Sequence, residues 1–215
     1  AAQGAKRKDE RAIAYLSAPN QITATENSSP CMGDMQLYSP CYPTSCCPVN
    51  SVAVVPEFVR GMACADEDGN LWITAYGPAE IHYAGFDITV DTLYPFRDDI
   101  RLTVKNPEKS LFCRLPEWCR DYTVTVNGEK ADISPDGDGY LRLPDFSSGT
   151  VDLHFSAKAR VVHVDDSDAA KKFPLAFMRG ALLFSLPIET EWVPFYPKTE
   201  TPLKPEWPWY RLLPV

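Results

Sequence analysis

Tyr122-Thr-Val-Thr-Val126-Asn127-Gly128 is the stretch whose reading decides the fold class. Its polar and apolar residues alternate with the period of two that a half-buried strand needs. Asn-Gly then supplies two residues that tolerate positive φ, the strongest short hairpin signal available. Working outward, Asp99-Ile-Arg-Leu-Thr-Val104 alternates as cleanly, and residues 71–76, 80–83, 86–92, 139–143 and 150–155 continue the pattern. Asp136-Gly137 and Asp138-Gly139 add two more turn dipeptides. Short strands at this spacing predict an antiparallel β-sandwich over about residues 70–162.

Flanking segments read differently. Residues 17–45 are rich in Pro, Ser, Asn and Thr, which is loop chemistry, and Arg11-Ala-Ile-Ala-Tyr-Leu16 is a short strand or a helix end. In Asn50-Ser-Val-Ala-Val-Val-Pro-Glu-Phe-Val-Arg-Gly-Met62, Val55, Phe58 and Met62 fall at i, i+3 and i+7. That spacing predicts a helix with one apolar face, Pro56 in an early turn and Gly61 near its end. After the charged connector Asp165-Asp-Ser-Asp-Ala-Ala-Lys-Lys172, residues 173–186 read as a strand pair turning at Arg179-Gly180. Trp192, Trp207 and Trp209 follow among prolines, as the opening of a second β unit.

Bulk properties narrow the function classes. The 215 residues are 45% hydrophobic and carry a formal net charge of −8. This balance argues against a nucleic-acid or anionic-membrane partner, since both need clustered Lys and Arg. No apolar run approaches the roughly 20 residues that span a bilayer. The chain opens without a Met and ends inside an aromatic segment, which predicts a piece of a longer protein.

The chemistry concentrates in Cys41-Tyr-Pro-Thr-Ser-Cys46-Cys47-Pro48. A buried free Cys behaves as a small hydrophobe and needs no neighbour of its own kind. A disulfide between adjacent cysteines closes a strained ring. Three readings remain: paired thiolates on a soft metal, one reactive thiol beside a ligand, or separate disulfides to distant partners. Seven cysteines leave at least one unpaired in any disulfide scheme. Joining Cys31 and Cys41 to the pair as a four-cysteine site lacks the Cys-x-x-Cys spacing of zinc ribbons. Cys64, Cys113 and Cys119 read as core or strand residues, and His82, His154 and His163 fall in strand positions or at a strand end.

Several segments, in order, resemble the C-terminal part of glycoside hydrolase family 127 and its relatives, the β-L-arabinofuranosidase-like proteins. They are Cys46-Cys47-Pro48-Val49-Asn50, Leu71-Trp-Ile-Thr-Ala-Tyr-Gly-Pro78 and Tyr94-Pro-Phe-Arg-Asp-Asp-Ile-Arg-Leu-Thr-Val104. Arg114-Leu-Pro-Glu-Trp-Cys119, Thr123-Val-Thr-Val-Asn-Gly128, Gly139-Tyr-Leu-Arg-Leu143 and Ala176-Phe-Met-Arg-Gly180 complete the series. The resemblance implies a mainly β chain: the end of a catalytic (α/α)6 barrel over 1–65, a β-sandwich over 66–163 and a truncated second β-sandwich over 164–215.

It also implies a zinc-dependent retaining glycosidase acting on β-L-arabinofuranosides of plant-type glycans. Cys46 would be the nucleophile and a zinc ligand, and Cys47 a second ligand. The remaining Glu and Cys ligands, and the acid/base Glu, would lie upstream of this chain. The one Glu-x-Cys here, Glu117-Trp118-Cys119, holds the place of a sandwich motif and inherits no ligand role. Glu26, Tyr38 and Tyr42 near the cysteine segment are candidate sugar contacts. With half its zinc site, the chain by itself is expected to be inactive. The competing reading is a non-catalytic module that binds carbohydrate or buttresses a barrel, or an inactive relative.

Overall fold

The computed structural model describes residues 13–14, 23–25, 37–39, 50, 52–83, 85–105, 107–163, 175–184, 188–195 and 209–215. Its first strands are β1 (Ile13–Ala14) and β2 (Tyr38–Ser39), followed by the helix Val54–Arg60. Next come β3 (Ala63–Ala65), β4 (Leu71–Ile73), β5 (Ala79–Tyr83), β6 (Phe86–Thr92), β7 (Asp99–Lys105) and β8 (Leu111–Arg114). Then follow β9 (Tyr122–Val126), β10 (Glu129–Ala131), β11 (Tyr140–Arg142), β12 (Gly149–Phe155) and β13 (Ala159–His163). The last are β14 (Leu175–Arg179), β15 (Leu182–Phe184), β16 (Thr190–Phe195) and β17 (Trp209–Pro214). The fold is mainly β, and the described ladders are antiparallel apart from the parallel pair β4–β8. The chain divides into two compact units, one of Val55–Arg160 with Met178–Leu183, the other of the remaining segments.

The first of these units is a two-sheet sandwich, with strand orders β10-β9-β12-β7-β6-β5 and β11-β8-β4-β3. Strict alternation assigns the faces: Ile100, Leu102 and Val104 of β7 point inward, and Asp99, Arg101, Thr103 and Lys105 point outward. Leu71, Ile73, Ile88, Leu153 and Phe155 join them in a core from which water is excluded. Thr92 is the one buried polar side chain among the described residues. Its hydroxyl donates to the Asp99 carbonyl at 2.7 Å and accepts the Tyr94 N–H at 2.9 Å, so its burial carries no unpaired group.

The turns are as local as the sequence reading expects. Asn127 (φ 53°) and Gly128 (φ 82°) form a two-residue hairpin with Val126 facing Glu129. Asn127 Oδ1 also accepts the Thr150 N–H at 2.9 Å. A Cβ on Gly149 would lie 1.7 Å from that oxygen, so this position takes only glycine. One turn design occurs twice. In Asp66-Glu-Asp-Gly69-Asn70, Asp66 Oδ1 accepts the N–H groups of Asp68 and Asn70. In Asp136-Gly-Asp-Gly139-Tyr140, Asp136 Oδ1 accepts those of Asp138 and Tyr140. The fourth residue of each is a glycine at φ 83°.

Several expectations need correction. The helix forms over Val54–Arg60, but none of its residues is buried. Val55 and Phe58 are 66% and 49% exposed, while Met62 is buried beyond the helix end. The i, i+3, i+7 spacing therefore does not make one buried face, because the chain leaves the helix at Gly61 before Met62 is reached. The strand expected over 71–76 stops at Ile73, since Thr74 turns its N–H to the Met62 carbonyl at 2.9 Å and its hydroxyl to the Gly61 carbonyl. Within the stretch read as loop, 17–45, β2 is a short strand. β3, β8 and β13 were not expected and are short, while β10 is the returning strand of the Asn127-Gly128 hairpin.

In the other unit, β1, β2, β17 and β16 form a sheet in that order. Tyr38 faces Tyr210 across the β2–β17 ladder, and Leu37 is fully buried. Gly180 (φ 57°), in the turn that joins β14 to β15, belongs to the sandwich unit.

Candidate functional site

Cys46, Cys47, Glu26 and Tyr42 lie outside the described residues, as do Cys31 and Cys41. Tyr38 is described, and its ring is already engaged. It packs edge-on against Trp192 at 4.8 Å, and burial pushes its phenol above the ordinary value. Trp192 in turn meets Tyr210 at 6.3 Å.

The remaining cysteines behave as the sequence suggests. Cys113 is fully buried on β8, where burial drives its thiol up to about 12. Cys119 is buried too; its Sγ–H donates to the Asp121 carbonyl at 3.3 Å, and burial raises its pKa. Neither is poised to be a thiolate. The sulfur of Glu117-Trp118-Cys119 thus lies in the sandwich core. Among the described residues no group of His, Cys, Asp and Glu could hold a metal ion. His82, His154 and His163 sit in β5, in β12 and at the end of β13, as expected.

Two concave features of the sandwich unit differ in character. The first lies on the outward face of the six-stranded sheet, a groove of about 510 Å³ lined by Asp91, Arg101, Thr125, Asp152 and His154 among others. Two pairs of its charged side chains are in contact: Arg101 donates to Asp152 at 2.6 Å, and His154 lies 2.7 Å from Asp99.

The second is a cleft of about 390 Å³ at the end of the sandwich, walled by Phe58, Tyr76, Tyr94 and Trp118 and edged by Arg114 and Glu117. Three connecting segments build it. The loop after β4 is held to the helix end by the Thr74 bonds just described, so that Phe58 lies beside Gly77. The loop between β6 and β7 is pinned by Asp98, which is only 15% exposed. Asp98 accepts Arg179 at 2.7 Å and the Ala157 N–H at 3.2 Å. The third segment, Pro116–Cys119, is a tight turn closed by the Cys119 N–H on the Pro116 carbonyl at 2.8 Å. Trp118 packs against Gly180, where a Cβ would meet the indole at 3.3 Å.

Both tyrosines of the cleft stay protonated. Burial raises Tyr76 well above the usual phenol value, and its hydroxyl donates to the Arg114 carbonyl at 2.6 Å. Burial also raises Tyr94, partly offset by hydrogen bonding from Trp118. The nearby Arg114 guanidinium acts on both phenols in the opposite sense to burial. In the sequence Tyr94 and Arg114–Cys119 stand out only through the family resemblance. The usable signal was aromatic and charged residues set in proline-interrupted segments between strands.

Comparison with known proteins now bears on this framework. Residues 70–156 match the family model described as the β-L-arabinofuranosidase GH127 middle domain. Over this stretch the chain is similar to a GH127 middle domain. The stretch holds most of the sandwich strands and, from the cleft, Tyr76, Tyr94, Arg114 and Trp118. Among solved structures, a GH127 β-L-arabinofuranosidase from Geobacillus stearothermophilus is 19% identical with a TM-score of 0.62. The match covers 97% of this chain and 41% of that one. A protein described as a glycoside hydrolase is 16% identical with a TM-score of 0.64, over 96% of this chain and 42% of that one. A further GH127 β-arabinofuranosidase is 19% identical with a TM-score of 0.61, over 96% of this chain and 40% of that one. At these identities the likeness is one of fold. The chain spans about two fifths of the length of these structures. No curated protein matches it.

Proposed function

We propose that this chain is part of a zinc-dependent retaining glycoside hydrolase that acts on β-L-arabinofuranosides of plant-type glycans. The observation that supports the reading is the match of residues 70–156 to the GH127 middle domain, with Cys46-Cys47-Pro48-Val49-Asn50 shortly before it. In this reading residues 1–65 close a catalytic barrel, 66–163 are the sandwich and 164–215 begin a second one.

The donor set suits zinc in kind. Two adjacent thiols supply soft ligands, and a tetrahedral site needs two more, which the reading places upstream as a Glu and a Cys. Bound zinc would keep the Cys46 and Cys47 sulfurs deprotonated near neutral pH. Cys46 Sγ attacks the anomeric carbon as an upstream carboxylic acid protonates the leaving oxygen. This exchanges the C–O bond for a C–S bond. The same carboxylate then deprotonates water, which displaces the thiolate and returns the anomeric configuration to that of the substrate.

The test uses the full-length protein with an aryl β-L-arabinofuranoside. Cys46→Ala should lower kcat by at least about 10³-fold, and metal analysis of the unaltered protein should find one zinc per chain. Full activity in the variant would show that Cys46 is not the nucleophile.

A further inference from the structure

We propose that the cleft walled by Phe58, Tyr94 and Trp118 and edged by Arg114 and Glu117 binds a sugar ring of a neutral glycan, through residues that do not belong to the cysteine segment. Only the choice of arabino-oligosaccharide as ligand rests on the glycoside hydrolase reading.

A sugar ring has an apolar C–H face and a rim of hydroxyls that both donate and accept hydrogen bonds. It therefore selects a site with an aromatic wall and a small number of fixed polar groups. The cleft has that composition, and its volume of about 390 Å³ lies within the range of small-ligand sites. Phe58 keeps about half of its surface exposed in this setting. Trp118 is half-buried and held at its edge by Gly180 and the Tyr94 phenol, so the indole is fixed before any ligand arrives.

The polar groups decide the ligand class. Arg114 offers only donors, in a planar fork that matches a pair of neighbouring hydroxyls, and Glu117 offers only acceptors. Among the described residues neither side chain has an ion-pair or hydrogen-bond partner, in contrast to the paired charges of the sheet groove. Their opposite charges favour a neutral polyol over a phosphate or a uronic acid. The groove of about 490 Å³ along Val59, Met62, Cys64 and Tyr83 has the apolar wall but a single carboxylate, Glu80, and no donor fork beside it except Arg60. That cation is already engaged by Glu57 at 2.6 Å.

Titration calorimetry of the full 215-residue chain with L-arabino-oligosaccharides tests the proposal. Saturable binding is expected, about tenfold weaker in Arg114→Gln and in Glu117→Gln, the loss that goes with one charge-assisted hydrogen bond. Both residues are exposed, and circular dichroism should show their variants folded. Trp118→Ala should abolish binding, and Trp118→Phe should restore part of it, which separates stacking from collapse of the turn. Absence of heat at about 10 mM ligand would overturn the proposal. So would binding that survives Arg114→Gln and Glu117→Gln together but is lost in Cys46→Ala, which would move the ligand to the cysteine segment. A failure of the Cys46 nucleophile test would leave the cleft result standing.

Discussion

The two sheets of the sandwich share one core yet present opposite surfaces. The six-stranded sheet shows rows of paired charges: Asp91, Arg101 and Asp152 face one another across three strands, as do Lys105 and Asp87 across two. The four-stranded sheet shows an aromatic row. Trp72 stacks on Phe112 at 3.9 Å with nearly parallel planes, and Tyr140 meets Trp72 edge-on at 5.0 Å. Alternation alone puts all of these residues on outward faces. Cross-strand register then decides whether an outward residue finds an opposite charge or another ring, and the two outcomes differ in what they contribute to stability. Aromatic pairs bury apolar area and gain stacking energy. Exposed ion pairs gain little, because water already solvates both partners.

Emptying the aromatic row is the most severe test of that contrast. Trp72→Ala removes the stack on Phe112, the contact with Tyr140 and the indole hydrogen bond to Asp66 at 3.0 Å. It should cost about 2–3 kcal/mol in urea unfolding, somewhat below the loss at a fully buried aromatic site. A loss no larger than that of a surface substitution would mean that the row does not stabilise the sheet.

A smaller effect follows from Asp66 beneath the same row. Hydrogen bonds from the Asn70 and Trp72 side chains hold its carboxyl below the ordinary value of 3.8. A folded-state pKa depressed in this way contributes stability that is fully present above the unfolded value and disappears as pH falls through the folded one. Between about pH 5 and about pH 3 the unaltered chain should therefore lose more stability than Asp66→Asn. Parallel losses would mean that the turn does not hold its bonds in solution.

The smallest change belongs to the charged face. Arg101→Ala and Asp152→Ala, separately and together, should leave the unfolding midpoint almost where it was despite the 2.6 Å contact, because Arg101 is 60% exposed. What little coupling the double-mutant cycle finds should fade with added salt. A coupling comparable to the Trp72 loss would erase the distinction between the two faces.

How far the fold could be read from the chain follows the same division between local and distant. β6 and β9 match the expected spans residue for residue, because each is a complete alternating run closed by its own turn signals. β8 was missed because Leu111-Phe-Cys-Arg114 is only four residues long and lies among prolines. The helix was legible in its spacing but not in its burial. Of the candidate sugar contacts named from sequence, only Tyr38 is among the described residues, and its ring is occupied by Trp192. The end cleft escaped notice because no periodicity marks loops that meet only when strands distant in the chain are paired.

By itself, then, the sequence determined the class of fold, the inward face of each long strand, and the turns at Asn127-Gly128, Asp66–Asn70 and Asp136–Tyr140. These rest on side-chain alternation and on bonds between residues a few positions apart. Tertiary structure alone decided the parallel pairing that sets Trp72 beside Phe112, 40 residues away, and the meeting of Tyr94, Arg114 and Trp118 around one cleft. Strand order is chosen by burial of the shared core and closure of long loops, and neither leaves a mark in any single stretch of chain.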